Sequence, residues 1–182
     1  MGLFDAFKGS KFAPRTDLTW QNQEAKLRGS IMFLRDNKVN LCVAWFEETQ
    51  RVFQEAFNRG VPKGPDIVLA KTLFPYSLDN KNVLFLEHYP LFSKEENLLG
   101  KAKPAKTWFV NSLNDPAMVL FKGNIDQLLE RLGMKPDECL EHSMISASIV
   151  RAQKKLEKEV FTDYSAKSGD DWVRQFLANR KK

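Results

Sequence analysis

Two stretches carry side chains whose types and spacing could do chemistry. Lys101, Lys103 and Lys106 form a basic run whose ammonium groups could contact phosphate. Trp108 follows, and a cation run beside an indole could also contact a single strand by charge and stacking. A solvated loop next to a buried Trp explains the same residues. Further on, Cys139, Glu141, His142 and Ser143 gather thiol, carboxylate, imidazole and hydroxyl. One Cys and one His do not fill a tetrahedral metal shell, and His88 is the other imidazole of the chain. Adjacent residues on a helix point in different directions and no G-x-S-x-G elbow is present, so neither a metal site nor a hydrolase triad is expected. The chain also has no G-x-x-x-x-G-K-[ST] phosphate loop.

The elements that must position these residues follow from hydrophobic patterning. At 182 residues with 43% hydrophobic content, one α/β domain with terminal extensions is the economical expectation. The net charge of +5 is spread along both halves of the chain and forms no block, which disfavours a nucleic-acid role. No apolar run approaches the roughly 18 residues of a membrane span, and the first residues lack the pattern of a signal peptide, so a cytoplasmic protein without membrane insertion is expected. Cys42 and Cys139, far apart in apolar settings, read as reduced, buried thiols.

Residues 1–17 show no sustained period and read as an extension. Thr19 is a candidate N-cap for a helix over 20–36, slightly weakened by Gly29. Residues 39–45 form a continuous apolar run suited to a strand buried on both faces. The helix that follows has its apolar face on Phe46, Val52, Phe53, Ala56 and Phe57 and stops at Gly60. Strand-length apolar runs at 66–70, 83–86 and 108–110 alternate with helical patterns at 93–99 and 115–121, which favours an open parallel sheet with right-handed crossovers. Beyond this the chain reads as helical: 125–132 between Asn124 and Gly133, a long helix over 138–161, and a last one over 170–178. On the long helix, Lys154, Lys155 and Lys158 beside Glu157 and Glu159 read as surface ion pairing.

The segment from Arg131-Leu132-Gly133-Met134 through Ser143-Met144-Ile145-Ser146 to Ala152-Gln153-Lys154-Lys155-Leu156-Glu157 resembles the end of the second nucleotide-binding domain of SecA, the preprotein translocase motor, a superfamily 2 helicase-type ATPase. There a Leu-Gly-Met turn precedes an acidic linker, an Ile-Glu-Ser element and an Ala-Gln-Lys-Lys-Val-Glu helix. Thr107-Trp108-Phe109-Val110-Asn111-Ser112-Leu113 is similar to SecA's Phe-Tyr-Leu-Ser-Leu-Glu-Asp stretch. Glu87-His88-Tyr89-Pro90 followed by Asn97-Leu98-Leu99-Gly100-Lys101 is similar in order to its Glu-Arg-His turn and arginine-finger helix.

The resemblance implies an α/β RecA-like, P-loop NTPase-type parallel-sheet sandwich with a C-terminal helical extension. It divides the chain into an N-terminal extension at 1–18, the RecA-like domain at 19–135 and the helical extension at 136–182. It also implies a lost chemistry. Lys71-Thr72-Leu73-Phe74-Pro75-Tyr76-Ser77 stands where a Gly-Arg-Gly loop would be; Asn97 replaces Gln, Gly100 is kept, Lys101 replaces the first finger arginine and Lys103 falls near the second. Lysine lacks the bidentate fork of guanidinium, so these positions form a degenerate arginine-finger region and no catalytic residue or cofactor is expected. A protein partner, either a motor domain or a translocation component, is expected on the long helix through Arg151, Lys154, Lys155 and Lys158. The alternatives are half of a nucleotide site completed in trans, with nucleotide binding left open, and a weak nucleic-acid-binding domain.

Overall fold

The computed structural model describes residues 15–61, 63–120, 135 and 138–180. The first strand, β1 (Arg15–Trp20), leads to α1 (Gln23–Asp36), β2 (Leu41–Ala44), α2 (Glu47–Gly60) and β3 (Ile67–Leu69). Two short 3-10 turns, Ala70–Thr72 and Pro75–Leu78, carry the chain to β4 (Asn82–Phe85). Then come α3 (Phe92–Leu99), β5 (Lys106–Ser112) and α4 (Pro116–Leu120). The described chain closes with β6 (Leu140–Glu141), α5 (Ser143–Glu157) and α6 (Gly169–Arg180).

The strands form one sheet in the order β3-β2-β4-β5-β1-β6. All pairs are parallel except β6, which runs antiparallel along β1. This is the open, mostly parallel α/β sheet the patterning anticipates, and it agrees with the RecA-like fold the resemblance implies.

The two-residue period of the strands sorts their side chains onto two cores. Leu18 and Trp20 of β1, Cys42 and Ala44 of β2, Leu84 of β4 and Val110 of β5 meet Ala25 and Leu34 of α1 and Phe53 and Phe57 of α2 on one face. Leu41, Val43, Val83, Phe85 and Phe109 meet Ala70, Leu78, Leu98 and Leu99 on the other. β2 is buried at every position because both faces are covered, as its unbroken apolar run requires. Two further clusters attach the C-terminal helices: Ile145 and Ile149 of α5 pack with Met118, and Trp172 and Phe176 of α6 pack with Phe46, Tyr89, Leu91 and Leu156.

Several expectations change. Residues 15–18, read as part of an extension, belong to an interior strand paired along its length with β5. Thr19 therefore does not cap a helix. Asn22 does, its side chain accepting from Ala25 N. The long helix begins at Ser143, capped by His142, because Leu140 and Glu141 are drawn into the sheet; it ends at Glu157 and not at residue 161. Strands form in all four expected segments, at 41–44, 67–69, 82–85 and 106–112. Cys42 is buried, but Cys139 is exposed, since it precedes the edge strand and is not on the buried face of a helix. The expected helix at 125–132, with Asn124 and Gly133, and the residues before Arg15 lie outside the described residues.

Gly29 has a packing reason to lack a side chain. A Cβ there would fall 2.3 Å from the buried indole of Trp20, so the helix abandons some intrinsic propensity to let α1 close on β1. Gly29→Ala should destabilise the fold by about 1–3 kcal/mol through overpacking, despite the roughly 1 kcal/mol that Ala contributes in an unconstrained helix. Urea denaturation of the two proteins checks the sign.

Candidate functional site

In open α/β sheets ligands bind beyond the carboxyl ends of the strands. Here that edge carries two buried polar networks. The first is built on His88, which follows β4. Its Nε2 lies 2.6 Å from Asp17 Oδ1 on β1 and its Nδ1 lies 2.8 Å from Glu95 Oε1 on α3. The ring stacks on Phe109 with centroids 4.2 Å apart. Arg15 NH1 donates to Glu95 Oε2 at 3.0 Å, Tyr89 N donates to Glu95 Oε1, and Asn111 Nδ2 donates to Asp17 Oδ1. With a carboxylate at each ring nitrogen, both nitrogens donate and the imidazole is cationic. Burial alone would depress its pKa, but the charges of Glu95 and Asp17 and their hydrogen bonds outweigh that and raise it to about 9. Burial also pushes Asp17 up, and the His88 charge and hydrogen bond, with Arg15, more than reverse this to about 2.

The second network fixes the loops after β1, β2 and β5. Lys26 Nζ, buried on α1, reaches both oxygens of Asp115 at 3.1 and 3.0 Å. Asp115 also accepts from Ser112 N and Ser112 Oγ. Beside it, Glu87 accepts from Trp45 N and Phe46 N, both at 3.1 Å, and from Thr49 Oγ1 at 2.7 Å. A carboxylate thus occupies the N-terminus of α2, the position where unpaired N–H groups and the helix dipole favour an anion. Burial raises the Glu87 pKa to about 7 against the opposing effects of Lys26 and of its donors.

Between the networks lies a cleft lined by Phe46, Glu87, His88, Pro90, Asn111, Asp115, Pro116, Met118 and Gly169. Its volume of about 20 Å³ suits an ordered water and is far too small for a nucleotide. The C-terminal segment closes it. Lys167 O accepts from Glu48 N at 3.0 Å, so the chain itself takes another donor at the start of α2. Gly169 sits against Pro116 and Phe46. Asp163 accepts from Tyr89 Oη at 2.8 Å and from Trp172 Nε1 at 3.0 Å and pairs with Lys94 at 2.9 Å, and Trp172 is fully buried.

The residues singled out from sequence fall elsewhere. Asn97 is exposed on α3, and Gly100, Lys101 and Lys103 lie in the connection entering β5, at the amino edge of the sheet. Lys103 N donates to Asp79 Oδ1, and Lys103 O accepts from Asn80 N, tying this connection to the turn before β4. The cleft is a strand length away, roughly 15 Å. Trp108 is half-buried against Phe33 on the α1–α2 face, so it belongs to the core side of the basic run.

Arg151, Lys154, Lys155 and Lys158 do come together. Spaced i, i+3, i+4 and i+7, they form an exposed stripe on α5 and its C-cap Lys158, opposite the buried Ile145, Ile149, Gln153 and Leu156. Lys154 Nζ sits 4.3 Å from the centroid of the Phe92 ring. The neighbouring acids pair otherwise than the helix surface suggests: Glu157 accepts from Ser93 N, and Glu159 pairs with Arg180. Among the described residues no group of three or more His, Cys, Asp or Glu could hold a metal ion, and no helix is long and apolar enough to cross a membrane.

Sequence comparison adds the relationship. The chain is 41% identical over 142 residues to protein translocase subunit SecA of Sorangium cellulosum, an alignment covering 74% of this chain and 14% of that protein. It is 36% identical over 105 residues to SecA of Syntrophomonas wolfei, covering 55% of the chain and 12% of the relative. The chain is SecA-like. A shorter stretch of 59 residues is 46% identical to SecA of Phocaeicola vulgatus. This SecA-like chain therefore spans only about an eighth of the length of such relatives. No protein-family model matches it.

Arg15, Asp17, Lys26, Glu87 and Asp115 escape a linear reading because their partners are distant in sequence. The available signal is the period-two run Thr16-Asp17-Leu18-Thr19-Trp20, which marks a strand carrying an inward-facing carboxylate.

His88→Gln should leave Asp17 and Glu95 without their shared cation and lower stability by about 3–5 kcal/mol. Because the folded pKa of His88 is raised, its contribution is full below pH 6.5 and is lost as pH rises through about 9. The wild-type melting temperature should fall across that interval more steeply than that of the variant. Glu87, also raised, acts in a lower window: its contribution is full below pH 4.5 and lost as pH rises through about 7, and Glu87→Gln should flatten that part of the curve. Calorimetric melting across both windows measures each slope.

Proposed function

We propose that this SecA-like chain corresponds to the second motor domain of the translocase and acts as a non-catalytic accessory or regulatory module, binding a protein partner in protein translocation on the cytoplasmic side. The observation that carries the reading is the filled carboxyl edge. The N-terminus of α2 is taken by Glu87 and the Lys167 carbonyl, and the adjoining cleft is sealed by the segment leading into α6. A phosphate group approaching there meets a carboxylate and a packed tryptophan helix. The sequence supports the same reading, since Lys71–Ser77 replaces a glycine-arginine loop and Lys101 and Lys103 replace finger arginines. Placing those lysines at the opposite edge adds further support.

What remains available for a partner is the exposed face of α5. Arg151, Lys154, Lys155 and Lys158 present four cations on a rigid helix anchored to the sheet, a surface suited to an acidic face of a translocase component. Charge complementarity of this kind governs encounter rate and specificity.

Titration calorimetry with ATP and with ADP, on the chain alone and mixed with purified SecA, tests the reading. Neither nucleotide should release heat on the chain alone, and SecA should bind with an affinity that falls with salt. Reversing Lys154 and Lys155 to Glu should reduce that affinity about tenfold or more. Stoichiometric nucleotide binding would refute the non-catalytic assignment in favour of a half-site completed in trans. Unchanged SecA binding by the reversal variant would refute the role of α5.

A further inference from the structure

The amino edge of the sheet, remote from the cleft and from the basic stripe of α5, carries a surface of its own. Lys38 precedes β2, Lys81 precedes β4, and Lys101, Lys103 and Lys106 enter β5; all are exposed. Hydrogen bonds to backbone carbonyls hold their loops together. Asn82 Nδ2 donates to Lys38 O at 2.7 Å, Lys81 O accepts from Ala105 N at 2.9 Å, and Lys103 O accepts from Asn80 N at 2.9 Å. None of these ammonium groups forms a salt bridge among the described residues. Charge that is diffuse along the chain is thereby gathered along one rim.

Beside the rim stands an aromatic pair. The crossover from β3 to β4 is made by 3-10 turns instead of a long helix, and its apolar anchors, Ala70 and Leu78, point into the core. Phe74 and Tyr76 point out, 60% and 70% exposed. Their rings are parallel within 2° with centroids 5.5 Å apart, an offset stack that leaves ring faces open to solvent. Lys81 Nζ bonds to Ser77 O at 2.8 Å, which places a cation directly at the end of this turn.

We propose that the stacked pair Phe74–Tyr76 and the lysine rim Lys38, Lys81, Lys101 and Lys103 together form a binding surface for single-stranded nucleic acid. Lysines track the phosphates while a base extends the aromatic stack, the two components of sequence-tolerant single-strand binding. A strand suits this surface better than a peptide does. A peptide anchor needs a pocket for its side chain, whereas a base needs only a flat ring face, and the pair supplies flat faces on a protruding turn. The surface goes beyond the protein-binding role assigned to α5 and shares no residue with it, so either can fail alone.

Fluorescence anisotropy of a labelled oligothymidylate titrated with the full chain tests the proposal. Affinity should fall with salt between about 50 and 200 mM, with a logarithmic slope of about −2 to −3, as three or four phosphate contacts on a single strand give. The double variant Phe74→Ala, Tyr76→Ala should weaken binding about 5- to 150-fold, the effect of losing one base stack, with the slope unchanged. The triple variant Lys81→Ala, Lys101→Ala, Lys103→Ala should make the slope shallower by about 2. All of these side chains are exposed, so a loss of binding reports the surface and not unfolding. Absence of salt-dependent binding would overturn the proposal, as would full affinity in the aromatic variant. Equally tight binding of labelled polyglutamate would also overturn it, assigning the rim to an acidic protein.

Discussion

Burying an imidazolium between two carboxylates is costly unless every charge finds its partner, and that requirement organises this molecule. His88 follows β4, Asp17 belongs to β1, Glu95 to α3, and Arg15 returns the chain of charges to β1. The group is neutral in sum and is closed by Asn111 and the Tyr89 backbone. It can be satisfied only when β1 lies beside β5 with α3 folded over the same face. A nonpolar core would tolerate small slips of these elements. A buried ionic chain does not, because a displaced partner leaves an unpaired charge in a low dielectric.

The two faces of the sheet depend on this arrangement differently. On the α1–α2 side the packing is apolar and local, with Trp20 filling the gap left at Gly29 and Phe53 and Phe57 closing over β2. On the other side the apolar core under α3 gives way toward the carboxyl edge to polar groups. At that edge, on the α1–α2 side, Lys26 of α1 with Asp115, and Glu87 with the start of α2, hold the loops that in related architectures hold ligand. The Glu87 carboxyl group, accepting from the N–H groups at the start of α2, occupies the place an external anion would take. The tryptophan-bearing α6 then covers the edge through Asp163 and Trp172. The contacts that satisfy these groups are also the ones that fill the edge.

The basic groups are distributed in the opposite sense. Those on α5 and its C-cap Lys158 lie on a helix whose inner face is fixed against the domain, and those at the amino edge lie on short connections pinned by hydrogen bonds to backbone carbonyls. Both are solvated and leave the fold's own charge balance untouched. Their availability contrasts with the buried, paired charges around His88 and Asp115. It is why the proposed partner recognition is placed on these surfaces.

Much of the architecture was legible in the chain itself. The unbroken apolar run of Leu41–Ala44, the strongly two-faced pattern of α2 and the alternation of short apolar runs with helical segments determined a parallel α/β sheet, since only a strand covered on both faces can be apolar at every position. The Ala152–Glu157 run and the residues around Phe109 carried the kinship to SecA. The tertiary structure alone decided that residues 15–18 are an interior strand. Arg15 and Asp17 look like surface residues until His88 and Glu95 are brought to them across 71 and 80 positions. It alone placed Lys101 and Lys103 at the edge away from the cleft and gathered dispersed lysines beside Phe74 and Tyr76. Hydrophobic periodicity is a local property and survives in the linear sequence; the pairing of buried charges and the clustering of exposed ones are distances in space, which the order of residues does not contain.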